Sequence, residues 1–92
     1  MPPDPRPDWV LAQRREIGHR IARRRAALGW TVERLAGAAG VSRDSVLRAE
    51  HATRSTGLDV LLQLADALGV TVGRLLDEDP VATDAGVPQP PR

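Results

Sequence analysis

The chain has 92 residues, with 13 basic side chains, all of them Arg, against 12 acidic ones, and it contains no Cys, Phe or Tyr. That length fits one small domain with a modest core, and the lack of Cys excludes a disulfide frame and any thiolate metal site. No apolar run approaches the ~20 residues of a membrane-spanning helix, and "MPPDPRPD" lacks the apolar stretch of a secretory signal, so a cytoplasmic protein with no membrane partner is expected.

The charge is unevenly placed. Up to residue 54 there are eleven Arg and six acids, a net +5; from residue 55 there are two Arg and six acids, a net −4. A basic front half suggests a negative partner, nucleic acid before membrane. An Arg-rich helix surface that serves solubility fits as well. Guanidinium forks grip phosphate or a base edge with two bonds, which Lys cannot do.

Residues 1–7 hold four Pro and are expected to form a mobile, extended arm. Asp8 is placed to cap the helix that follows, "WVLAQRREIGHRIARRRAAL", in which Leu11, Ile17, Ile21 and Leu28 make one apolar stripe on an Arg-rich surface. Gly29 is its stop. Thr31 then caps a second helix, "VERLAGAA", with Glu33 in its first turn and Leu35, Ala36 and Ala39 on its inner side. Gly40 stops it, and Ser42 caps a third, "RDSVLRAE", with Asp44 in its first turn. Two amphipathic helices joined only by Gly40, Val41 and Ser42 cannot share an axis. They must cross steeply, at about 90–120°, as a helix-turn-helix corner.

"HATRST" reads as a polar loop. "GLDVLLQLADAL" is a fourth helix, capped by Ser55 or Thr56, with Leu58, Leu61, Leu62, Ala65 and Leu68 inward and Gly69 at its end. Thr71 caps a short fifth helix, "VGRLL", bringing Leu75 and Leu76 to the core. Residues 79–92, rich in Pro, Asp and Gly, are expected to be disordered. No repeats are apparent. The expected domain is thus 8–78, with the helix-turn-helix at 31–50.

The stretches "IGHRIARRRAALGWT", "LAGAAGVS", "LRAE" and "LDVLLQLADALGVTVGRLL", in that order and spacing, resemble the Cro/C1-type helix-turn-helix family, the phage-repressor-like or XRE-like DNA-binding domain. The likeness runs from Ile17 to Leu76. It implies an all-α, five-helix, lambda-repressor-like fold whose third helix enters the DNA major groove, usually as a homodimer on two half-sites. It implies structural roles for Ala36, the small residue of the second helix, for Gly40 in the turn, and for Val41 and Val46, which seat the recognition helix. It also implies an ion pair between Arg25 and Glu50. Arg43, Asp44 and Arg48 fall where members read bases. The chain departs from the family at Val32, where many members carry a Gln that anchors the DNA backbone. It departs again at Leu47–Arg48–Ala49, where a small polar residue, Arg and Ile are common, and at Ala52 and Thr56, where Gly and Pro are common.

Taken as chemistry, Arg43 and Arg48 suit guanine O6 and N7, and Asp44 could accept from cytosine N4. Asp44 could equally support the helix dipole alone. Leu47 could meet a thymine methyl or pack under the 51–57 loop. Thr31, Ser42, Ser45, Arg24 and Arg54 are the expected phosphate contacts. His19 and His51 lack partners at metal-ligand spacing. Ser42, Ser45 and His51 make no catalytic set, so neither an enzyme nor a cofactor is expected. Trp9, Val10 and Leu11 need cover from the domain's own core or from a second subunit. The expected function is a sequence-specific DNA-binding transcriptional regulator, a repressor. The alternative is an antitoxin-like or other protein-interaction module with weak or autoregulatory DNA binding and a protein partner such as a toxin.

Overall fold

In a computed structural model, residues 5–77 are described. They form five helices: α1 Asp8–Ala27, α2 Val32–Ala39, α3 Arg43–His51, α4 Leu58–Leu68 and α5 Val72–Asp77. No strand occurs among the described residues. The chain is therefore all-α with the expected order of elements. Residues 1–4 of the arm and the tail at 79–92 lie outside the described residues.

α1 starts differently from expectation. Pro7 is the N-cap and makes no side-chain cap bond, while Asp8 is the first helical residue. There its carboxylate complements the helix dipole without capping. Ile21 is fully buried and Ile17 partly so, but Leu28 is 43% exposed. Leu28 is the C-cap, past the last residue that keeps the helical period.

Three of the turns repeat one device. Gly29, Gly40 and Gly69 adopt φ of 72°, 72° and 75°, a left-handed region that glycine enters without steric cost. The next residue is apolar, half-buried against the core, and its N–H reaches back to the preceding helix. Trp30 bonds Arg25 O at 3.1 Å, Val41 bonds Ala36 O at 3.1 Å and Val70 bonds Ala65 O at 3.0 Å. A hydroxyl then caps the new helix. Thr31 accepts from Arg34 N at 3.0 Å, Ser42 from Ser45 N at 3.0 Å and Thr71 from Arg74 N at 3.2 Å. The chain thus carries a small repeat after all, Gly–apolar–hydroxyl, at the scale of a turn.

α4 corrects two expectations. Its N-cap is Gly57, not Ser55 or Thr56, and it makes no side-chain cap bond. Its inward stripe is Leu61, Leu64, Ala65 and Leu68, whereas Leu58 and Leu62 are 64% and 50% exposed. The run "LDVLLQLADAL" has apolar residues on two helical stripes, and the period alone does not say which faces in. On α5, Leu75 is buried and Leu76 is largely exposed.

Ile21, Leu35, Ala36, Ala39, Val46, Ala49, Leu64, Ala65, Leu68 and Leu75 form the core. Four of these ten are Ala, which lets helix backbones approach closely. α1 lies chiefly against α3, α2 against α4 and α3, and α5 against α1 and α4. Arg20 Nη1 donates to the carbonyls of Leu75 and Leu76 at 2.9 and 2.8 Å, tying the end of α5 to α1. α1 approaches α3 closely at Gly18. A Cβ there would stand 2.5 Å from the Glu50 carbonyl oxygen and 2.6 Å from that of Ala49. The middle of α1 therefore seats the C-terminal turn of α3 backbone to backbone.

Candidate nucleic-acid interface

α3 divides cleanly by face. Val46, Ala49 and Glu50 are buried; Ser45 and Leu47 are half-buried; Arg43, Asp44 and Arg48 are exposed. Its inner face packs on the core through Val46 and Ala49, and its start is fixed by Ser42. The Ser42 hydroxyl accepts from Ser45 N and donates to Ser45 Oγ at 2.9 Å.

The far end of α3 is fixed by charge. Arg25 Nε donates to Glu50 Oε2 at 2.6 Å, and Arg25 Nη2 to Glu50 Oε1 at 3.0 Å. The Glu50 side chain is only 3% exposed. Arg25 Nη1 donates to Trp30 O at 2.8 Å. The bond to Glu50 raises the Arg25 pKa, against an opposing desolvation. A bidentate pair of this kind holds α3 to α1 and to the turn that opens α2.

At the other end, Arg43 Nε donates to Glu33 Oε2 at 2.5 Å across the corner, with both side chains about 60% exposed (59% and 62%). This bond, together with one to its own backbone, holds the Glu33 carboxyl below its usual titration range. Arg34 stacks over Trp30, its guanidinium carbon 5.1 Å from the ring centroid. Val32, standing where many family members have Gln, packs against the core.

The remaining expected phosphate contacts are scattered. Thr31 is exposed at the start of α2. Arg54 is exposed in the loop after α3. Arg24 is exposed too, but its Nε donates to Leu68 O at 3.3 Å, at the end of α4. Ala52 is the C-cap of α3 with φ 56°, so it keeps a left-handed backbone where family members often place Gly.

Three features were missed at the sequence level. Gly18 had a signal: a glycine inside a helix costs about 1 kcal/mol against Ala, so it calls for a packing reason. Glu33 was read only as a first-turn acid, and nothing local announces its reach to Arg43. His19 and His51, far apart in sequence, line one groove of about 450 Å³ with Arg15, Arg25 and Glu50. Among the described residues no group of three or more His, Cys, Asp or Glu is placed to hold a metal ion. No helix among them is long and apolar enough to cross a membrane.

Two short helices joined by a left-handed glycine, the second anchored at both ends and polar on its outer face, define a helix-turn-helix DNA-binding domain. The family described as "helix-turn-helix domain" matches residues 16–78, and the chain belongs to it. Among solved structures, the chain is similar to the restriction-modification controller protein C.AhdI from Aeromonas hydrophila. The two are 33% identical with a TM-score of 0.67, over 70% of this chain and 97% of that one. No curated protein matches the chain. The domain is of the Cro/C1 type that its motifs resemble.

Proposed function

We propose that the chain is a sequence-specific DNA-binding transcriptional regulator, a repressor that works as a homodimer on two half-sites about 34–36 Å apart. The observation that carries this reading is the outer face of α3. Arg43, Asp44 and Arg48 stand exposed on a helix whose ends are fixed by Ser42 and by the Arg25–Glu50 pair. Similarity to a restriction-modification controller protein supports a regulatory role.

In this mechanism Arg43 and Arg48 donate pairs of N–H groups to guanine edges in the major groove, beside Asp44 and Leu47. Phosphates on either side are held by the hydroxyls of Thr31, Ser42 and Ser45 and by Arg54, with Arg24 further out. Counterions released by these contacts give affinity that falls as salt rises. A bound dimer represses by occupying DNA that transcription requires.

An antitoxin-like interaction module is the second reading, and Val32 favours it. Its side chain lies against the core and leaves the usual Gln anchor unmade. Selection of random duplexes with the purified protein separates the two readings. For a DNA reader, Arg43→Ala and Arg48→Ala each relax preference at particular bases, costing about 1–3 kcal/mol, while Arg54→Ala weakens all sequences alike and lowers the salt slope by about one. No duplex binding even at low salt leaves the interaction module.

A further inference from the structure

Glu33 belongs to the first turn of α2 and Arg43 opens α3, so their bond spans the corner between the two helices. Both side chains are more than half exposed, and an ion pair this open to water adds little stability. Its consequence is conformational. Arg carries more rotamer freedom than almost any residue, and that freedom must be surrendered when it reads a base. Here it is already restricted in the free protein. The bond also selects which nitrogens remain. With Nε committed to the carboxylate, the two terminal nitrogens are left as an end-on fork, and such a fork matches guanine O6 and N7.

The same bond changes what Arg43 can do to phosphate. A free guanidinium at the tip of α3 would be drawn to any backbone within reach, whatever the sequence. A guanidinium with a carboxylate on its flank carries no net charge as a unit, so that sequence-blind attraction falls while the directional donors survive. The bond to Arg43 also favours the ionised form of Glu33, lowering the pKa of its carboxyl.

We propose that Glu33 is a specificity-determining positioning residue, which presents Arg43 end-on to a guanine and withholds it from neighbouring phosphates. This rests on the DNA-reading function above, and it assigns to Glu33 a share of the sequence selectivity with no base contact of its own.

The test uses the full chain, its Glu33→Gln and Arg43→Ala variants and the double variant. Each is measured on the duplex preferred by the wild type, on the same duplex with adenine in place of the guanine that Arg43→Ala ceases to distinguish, and on an unrelated duplex. Glu33→Gln keeps size and polarity at an exposed position, and a thermal melt checks that the fold is retained. Expected is about a tenfold loss in the guanine-to-adenine ratio, tighter binding to the unrelated duplex, and a salt slope steeper by about one. In the Arg43→Ala background the same change leaves the ratio untouched. A ratio unaltered by Glu33→Gln, or tighter binding to all three duplexes by one common factor, overturns the proposal. A wild type with no preferred duplex overturns the DNA-reading function itself, and the role of Glu33 with it.

Discussion

Glu50 is the buried charged residue of the described structure, and its two carboxylate oxygens are both committed to Arg25. Glu50→Ala leaves a guanidinium facing a void. Breaking such a pair from one side costs about 3–5 kcal/mol. The Arg25 side chain is 20% exposed and can recover some hydration, which puts the expected loss toward the lower figure. Urea unfolding measures it. Removing both charges at once, as in Arg25→Met with Glu50→Leu, is expected to restore much of the loss, because neither variant side chain is then a stranded ion. A double variant no more stable than Glu50→Ala would show that α3 is held mainly by something other than this pair. The pair was legible from the family likeness. Its third bond, from Arg25 to Trp30 O, was not, since it depends on where the left-handed turn at Gly29 carries the chain.

Packing between elements turns on Gly18. The carbonyl oxygens that a Cβ would strike belong to backbone and cannot rotate away. Gly18→Ala therefore forces α1 and α3 apart, although Ala is the better helix former by about 1 kcal/mol. Overpacking of this kind costs about 1–3 kcal/mol net, read as a lower urea midpoint with an unchanged slope. If Gly18→Ala stabilises the domain instead, the close seat of α3 on α1 is wrong. The elements themselves were largely legible, because each carries its own start and stop: Thr31, Ser42 and Thr71 as caps, Gly29, Gly40 and Gly69 as terminators. Where such punctuation was ambiguous the reading slipped. Gly57 opens α4 without a side chain, and Leu58 and Leu62 compete with Leu61 and Leu64 for the inner face. Ala52 stands where family members commonly have Gly, yet the backbone keeps the left-handed turn there at φ 56°.

For the molecule as a whole, the candidate site lies in the part of the sequence that holds most of the Arg: eleven up to residue 54 and two beyond it, with six acids in each part. Arg43, Asp44 and Arg48, which the family likeness set at the base-reading positions, do stand exposed on α3. Which of them pair, as Glu33 and Arg43 do, required the two helices to be set against each other. A domain this small reads few bases, and the proposed pairing of two copies doubles that number. The expected outcome is geometric. A duplex with two preferred half-sites one helical turn apart binds cooperatively, and inserting about half a turn between them abolishes the cooperativity while each half-site still binds alone. Sedimentation of the protein–duplex mixtures distinguishes the one-copy and two-copy complexes. Two copies bound independently at every spacing would leave the domain a monomeric reader.

The turn that opens α2 has an optical consequence. The chain has two Trp and no Tyr, so its near-ultraviolet absorption and intrinsic fluorescence arise from two indoles in contrasting surroundings. Trp9 is 70% exposed to solvent, while Trp30 is half-buried beneath the Arg34 guanidinium, one residue before the cap of α2. Substituting Phe for the first leaves a lone native emitter lodged in the turn between α1 and α2, a built-in lamp at the entrance to the helix-turn-helix unit.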